Sequence, residues 1–189
     1  MTLTPESVES YTRGRLVDDD ETERILAAEL LAAQNYCGWH VTPVRVAEVF
    51  VLDGCGGRTL VLPTLKLVTV VSLSEEGVSL LDAPLNPGDD SDVVHVSRNG
   101  RIRKINGACW TRRLAGITAT ITHGYDEAPD FESVVLSAVE RASQVPLGGV
   151  MRAVGPFQWA ATSSASSVSQ YTIGEQDILD RYRLNGTFA

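Results

Sequence analysis

The sequence predicts an α+β fold: an N-terminal helix, a central antiparallel β region with hairpins, a second core helix, an extended uncharged arm and a short C-terminal helix. Three observations carry this. An Ala-rich segment ending near Gly38 repeats its apolar residues at helical spacing. The following stretch alternates β-branched and polar residues in short runs broken by Gly, Asn and Asp. Helical spacing then returns behind Pro129, and no helix-like segment separates the strand-like runs, which argues against a parallel βαβ arrangement.

The first helix is "ETERILAAELLAAQNYCGW". Asp18, Asp19 and Asp20 are N-cap candidates, and Glu23 stands three residues after Asp20, as in a capping box. Ile25, Ala28, Ala32 and Tyr36 form one apolar line; Leu26, Leu30, Ala33 and Cys37 form the adjacent one, and Gly38 ends the helix. Strands are expected in "VRVAEVFVLDG", "RTLVLP", "LVTVVSLS", "GVSLL", "DVVHVS" and "ITATITHGY". Asn99-Gly100 predicts a type I′ hairpin before "RIRKI". In the second helix, "APDFESVVLSAVERASQ", Pro129 suits the first turn and Phe131, Val134, Val135, Ala138 and Ala142 form the buried stripe. From Ala142 to Gly174 the only charged residue is Arg152, while Met151, Phe157 and Trp159 are bulky and apolar. An uncharged arm that keeps aromatics suits ordering against a partner. The final helix, "GEQDILDRYR", is too short to be stable alone. The expected organisation is therefore a single domain over 1–146 and a docking arm with its helix over 147–189.

The composition describes a water-soluble globular chain: 189 residues, 43% hydrophobic, mean hydropathy near zero. No apolar run approaches the roughly 20 residues of a membrane span. "MTLTPESVES" lacks the features of a signal peptide. Three irregularly spaced cysteines argue against a disulfide framework and for synthesis in a reducing cytoplasm. The net charge of −8 opposes non-specific nucleic-acid binding by the whole surface. The charge is segregated, however. Glu75, Glu76, Asp82, Asp89, Asp90 and Asp92 form an acidic segment, and Arg98, Arg101, Arg103, Lys104, Arg112 and Arg113 a basic one. Lys66 and Lys104 are the only lysines among sixteen cationic residues; the rest are Arg, which favours bidentate pairs at protein interfaces.

The motifs that could carry chemistry do not assemble. "DGCGGRTLVLP" looks like a phosphate loop, but Arg58-Thr59 replaces Lys-Ser/Thr and "TLVLP" continues as a strand, leaving no helix N-terminus for a phosphate. Asp53-Gly54 and Gly56-Gly57 instead read as a hairpin turn. Cys37-x-x-His40 has ligand-like spacing but no second pair, and Cys37 falls on an apolar helix face. His95 and His123 have no nucleophile in an elbow motif to serve as base, and the 75–92 carboxylates read as solvated loop charge. Trp110 beside Arg112 and Arg113 could stack on a base, or could be an ordinary strand-end aromatic.

One order of motifs is distinctive: a helix ending "AAQNYCGW", then "VFVLDGCGGRTLVLP", "VTVVSLSEEG", a basic segment with Trp110, "ITATITHGYDEAPDFESVVLSAVERA", and "DILDRYR". Over roughly residues 15 to 184 this resembles the head-to-tail connector proteins (adaptor or head-completion proteins) of long-tailed bacteriophages. The resemblance implies a virion protein at the capsid vertex or neck. It would form a homo-oligomeric ring, commonly twelvefold, below the portal protein and above a downstream stopper or tail-terminator protein. Genomic DNA would pass through its channel without sequence-specific binding. It implies no enzyme, catalytic residue, cofactor or metal, and no membrane partner. The family's usual core is a helical bundle, whereas this chain has a rich β region.

A ring subunit has two unlike lateral faces in a heterologous, closing interface. Arg98, Arg101, Arg103, Lys104, Arg112 and Arg113 on one side, and Glu75, Glu76, Asp89, Asp90 and Asp92 on the other, are candidates for meeting across it. Met151, Phe157, Trp159, Tyr171, Ile178, Leu179 and Tyr182 are the candidate portal-docking residues. The alternative is a small nucleic-acid-binding module using the basic 98–113 segment and Trp110; a hydrolase using His123 with Cys109 or the 75–92 carboxylates is a third reading.

Overall fold

The structure, a computed structural model, describes residues 3–89, 91–144, 152–154, 157–159 and 171–184, with the backbone alone described at 152–154 and 157–159. In chain order the elements are α1 (Pro5–Thr12), α2 (Asp20–Cys37), β1 (Arg45–Leu52), β2 (Thr59–Val61), β3 (Leu67–Glu75), β4 (Val78–Ser79), β5 (Val94–Val96), β6 (Arg101–Lys104), β7 (Ile117–His123), α3 (Pro129–Gln144), β8 (Arg152–Val154), β9 (Phe157–Trp159) and α4 (Ile173–Arg181). The fold is α+β, and every paired strand is antiparallel. The chain divides into two compact units, one of residues 37–128 plus the segment from Tyr182, the other of residues 2–36 and 129–181.

The first unit holds two sheets, ordered β1-β7-β3-β4 and β2-β6-β5, around one core. Leu60, Leu62, Val94, Ile102 and Trp110 meet Leu67, Val70, Leu73, Ile117, Ala119 and Ile121 there. Each fully buried large side chain contributes about 1.5–3 kcal/mol relative to exposure. The alternation of "ITATITH" is that of a strand with one buried face: Ile117, Ala119, Ile121 and His123 point inward. Its neighbours follow it by different rules. On β3 the inward residues opposite Ile121 and Ala119 are Val70 and Leu73, with Leu67 opposite His123, a spacing of three. Register shifts between Leu67 and Thr69 and between Val70 and Ser72 supply the extra residues. On β1 a further shift between Arg45 and Glu48, with Ala47 at φ 52°, sets Glu48 opposite Ile121 and Phe50 opposite Ala119.

Two local expectations are corrected. The loop of "DGCGGR" does not close a hairpin, because β1 and β2 belong to different sheets. It crosses between them along the backbone of 110–113: Gly54 N donates to Arg113 O, Gly56 N to Thr111 O, and Trp110 N to Gly57 O. A Cβ on Gly54 would sit 2.2 Å from Thr111 O, so close backbone approach explains that glycine. Between β5 and β6 the turn is not type I′, since Asn99 does not have positive φ. Gly100 N donates to Ser97 O, so Arg98 and Asn99 are the central residues, and Gly100 at φ 75° follows them. That is a three-residue loop with a left-handed glycine, the common longer relative of the two-residue hairpin.

The second unit is mainly helical. Helix α1, which the sequence reading does not anticipate, starts with a capping box between Thr4 and Ser7. Helix α2 is capped by Asp19, whose Oδ1 accepts from Thr22 N at 2.8 Å, so the cap lies one residue before the Asp20–Glu23 pairing. Of its two predicted apolar lines, the one through Leu26, Ala33 and Cys37 is buried, while Ala28 is exposed. Helix α3 buries Phe131, Val134, Val135 and Ala138 as predicted, then Val139 rather than Ala142. Helix α4 packs on α3, burying Leu179. Arg141 clamps Glu175 with two bonds of 2.6 and 2.9 Å, and Tyr36 Oη donates to Asp180 Oδ1 at 2.9 Å.

Candidate functional site

The acidic and basic segments meet inside one chain. The end of β3 and the end of β6 bring Lys104 Nζ to 2.5 Å from Glu75 Oε2, with both side chains largely out of water. Lys104 also donates to Cys109 O at 3.2 Å and lies 4.8 Å from the Trp110 ring centroid. Glu75 Oε1 accepts from Thr111 N at 2.7 Å, and the Thr111 hydroxyl donates to Glu76. The expectation that these carboxylates are solvated loop charge is therefore corrected at Glu75, which is a half-buried fold residue. Trp110 is 2% exposed and belongs to the core, so its indole has no face to offer a base.

The other charges stay outward. Arg98 and Arg101 are exposed at the β5–β6 hairpin; Arg103, also exposed, donates from Nε to Thr59 Oγ1 at 2.8 Å. Arg101 and Arg103 border an open cleft of about 280 Å³ with Thr59, His95, Val96 and Ser97. Arg112 and Arg113 are exposed beside the glycine loop. Asp89 folds back onto Asn86, Asp92 is exposed, and Asp90 lies outside the described residues. Of the docking candidates, Tyr171 and Leu179 are buried within their own unit and Ile178 and Tyr182 are half-buried. Met151 and the side chains of Phe157 and Trp159 lie outside the described residues.

A second cluster escaped the sequence reading. His40, in the loop after α2, Glu48, on β1, and His123, at the end of β7, each place a ligand-type atom within 4.8 Å of the other two. Among the described residues this is the one such group of three. His123 Nε2 is 2.8 Å from Glu48 Oε2, and Arg45 Nη1 donates to Glu48 Oε1 at 2.9 Å. The two imidazoles meet edge to face at 4.5 Å, with Trp39 stacked on His123 at 6.3 Å and Phe50 edge-on at 5.3 Å. Trp39 Nε1 donates to Tyr182 O, and Leu184 N to Cys37 O, so residues 182–184 lie along this side of the unit.

Burial pushes His40 down to about 4, helped by the charges of His123 and Arg45. Burial also lowers His123, although Glu48 pulls the other way. Burial alone would raise Glu48; the bonds from His123 and Arg45 overcome it and hold the carboxyl below its ordinary value. At neutral pH the cluster is thus two neutral imidazoles and one carboxylate. His40, Glu48 and His123 are far apart in sequence, so no spacing motif could reveal them. The available signal was a histidine at an inward position of an alternating strand, followed by Gly124. A Cβ there would lie 2.6 Å from His40 Nε2.

Cys109 stands with Lys104 at the Ile117 end of β7, while His123 ends the same strand six residues away, about 20 Å at strand rise. That separation removes the His123–Cys109 pair as hydrolase machinery.

Solved structures match this chain over nearly its whole length, three of them as follows. One is titled the neck of an empty GTA particle computed with C6 symmetry: TM-score 0.56, 17% identity, covering 97% of this chain and 92% of the other. Another is the neck of a native GTA particle computed with C12 symmetry, at 0.55, 17%, 98% and 96%. A third is the virion of a native gene transfer agent (GTA) particle, at 0.56, 16%, 97% and 92%. The chain has the fold of a phage-like neck component. No family model matches it, and no curated protein matches it significantly. Among the described residues, no helix is long and apolar enough to cross a membrane.

Proposed function

We propose that this protein is a structural subunit of a virion neck, assembled as a homo-oligomeric ring between the portal and the next head-completion or tail protein. The observation that carries the reading is the match to neck components over 97–98% of the chain, in particles solved with C6 and C12 symmetry. A ring subunit needs two different lateral faces that close on each other. The exposed charges left after Lys104 and Glu75 have paired internally are Arg98, Arg101, Arg103, Arg112 and Arg113, with Asp89 and Asp92 of opposite sign, and these are the proposed contacts. The nearly uncharged 147–173 segment, with Arg152 as its one charge, and the outer face of α4, where Ile173 is 80% exposed, are the proposed portal-docking surface. An overall charge of −8 suits a channel through which duplex DNA slides, since phosphates are weakly repelled.

The test is mass determination of the full chain by light scattering, alone and mixed with the portal ring of the same particle, followed by electron microscopy of the mixture. The expected result is about one copy per portal subunit, in a ring coaxial with the portal. A chain that ignores the portal but gains mass with duplex DNA would overturn the reading in favour of a nucleic-acid-binding module.

A further inference from the structure

We propose that His40, Glu48 and His123 form a binding site for a single divalent metal ion of the borderline class, zinc first, which ties the loop after α2 to strands β1 and β7. The inference does not depend on the neck reading.

Two histidines and one carboxylate are a well-suited ligand set for zinc, leaving a fourth position for water. Zinc bonds of about 2.0–2.1 Å in a tetrahedral arrangement set ligand atoms roughly 3.3 Å apart. Here Nε2 of His123 and Oε2 of Glu48 are already at 2.8 Å, and no member of the trio is more than 4.8 Å from another. Closing the longest edge needs a side-chain movement of about 1.5 Å at most. His40 and His123 keep only 4% and 1% of their surface, yet, a weak contact of the His40 ring with the Pro43 backbone aside, His40 Nε2 and His123 Nδ1 have no hydrogen-bond partner of good geometry. Buried polar atoms are nearly always partnered, so the orphaned His40 Nε2 marks an unmet demand. Coordination to a metal meets it directly. On binding, the imidazole proton of His123 moves from Nε2 to Nδ1, the N–H···O contact with Glu48 is replaced by two metal bonds without net proton loss, and Nδ1 remains without a protein partner.

The backbone prepares the site. The β1 register shift turns Glu48 to the inner face, on the same side of the sheet as His123. Gly124, at φ 112°, lets His40 approach the end of β7, where any Cβ would clash with His40 Nε2 and with Pro43 O. Arg45 grips Glu48 Oε1 and so fixes the carboxylate with Oε2 facing the histidines, the orienting role that outer hydrogen bonds serve in metal sites. Its positive charge lowers affinity somewhat, but its side chain is 47% exposed and its charge is paired. Trp39 and Phe50 wall the histidines with apolar surface, which limits access to the fourth position.

The experiment uses the full chain, stripped with chelator and then titrated with zinc chloride alone, with bound metal counted by mass spectrometry and melting followed in parallel. The expected result is one zinc per chain and a Tm rise of roughly 5–10 °C at a hundredfold excess over Kd. Cobalt in place of zinc should give ligand-field bands of tetrahedral character without a thiolate charge-transfer band, which separates this site from the exposed Cys55 and Cys109. Glu48→Gln, which keeps the side-chain shape, should weaken binding at least tenfold, and His40→Asn similarly. Wild-type protein that retains no zinc, a cobalt spectrum with thiolate bands, or variants that bind as tightly as wild type would each overturn the proposal.

Discussion

Lys104→Met keeps the aliphatic stem of the side chain and removes the ammonium that faces Glu75. In the folded chain the two side chains retain only 12% and 15% of their surface, at a separation of 2.5 Å. Removing one partner of a buried pair costs about 3–5 kcal/mol, because the survivor remains desolvated and unpaired. Glu75 keeps its bond from Thr111 N and some contact with water, so the cost falls somewhat below that range, about 2–3 kcal/mol. At roughly 2–4 °C per kcal/mol for a chain of this size, Tm should fall by about 5–10 °C. Glu75→Gln alone should also destabilise, because it leaves Lys104 buried with Cys109 O and the Trp110 ring. The double variant should lose less than the two singles added together, with a coupling of about 1.5–3 kcal/mol. Urea unfolding of the four proteins measures this cycle. A Lys104→Met protein melting within 2 °C of wild type, or singles that add within 0.5 kcal/mol, would refute the claim that this pair supports the fold. Since both partners are satisfied within one chain, the same variants should leave the residual tendency to assemble unchanged once stability is matched.

Charge reversal at Arg101 and Arg103 should do the opposite. Exposed sites of this kind cost about 0.5 kcal/mol or less each, so melting should hardly move while ring closure or portal binding weakens; an equal loss in both would mark them as fold residues. Gly100→Ala should destabilise by about 2–4 kcal/mol in urea unfolding, since φ is 75° and the new Cβ would lie 2.8 Å from Thr64 O; a loss under 0.5 kcal/mol would contradict the turn described here. Burial alone would raise the Glu175 carboxyl, but the Arg141 guanidinium and the Thr172 bonds hold it below its ordinary value. A depressed folded pKa gives stability that is present above the unfolded pKa near 4.5 and lost as pH falls through the folded value. Glu175→Gln should therefore be less stable than wild type at pH 7, and the gap should close in acid; a gap independent of pH would show that the ion pair contributes nothing.

What the sequence disclosed depended on the length scale of the signal. The periodicity of α2 and α3 spans several turns, and it located both helices and most of their buried stripes. "ITATITH" alternates without interruption, so β7 could be placed and faced correctly. In β3 the inward residues 67, 70 and 73 follow a spacing of three, because bulges add a residue twice; alternation alone cannot state which face is inner. The type I′ expectation failed at Asn99 for a related reason: the dipeptide specifies a turn, but the three-residue loop is selected by the pairing of Val96 with Ile102 and the crowding of Gly100 against Thr64. Trp110 was ambiguous because charged neighbours at 112 and 113 gave it a surface context, while its own side chain packs inward. The His40–Glu48–His123 cluster depends on three distant segments and one bulge, and only the tertiary fold brings them together.

That bulge in β1 has a second consequence. β1 forms an outer edge of its sheet, and Val46, Val49 and Val51 on it are 78%, 61% and 63% exposed. An exposed, β-branched edge of this kind is a template on which another chain can add a strand. The extra residue near Ala47 breaks the regular row of donors and acceptors along the edge, and Arg45 adds a charge beside it. The irregularity that turns Glu48 inward thus also interrupts the free edge of the sheet at its Arg45 end, the kind of break that blunts strand addition.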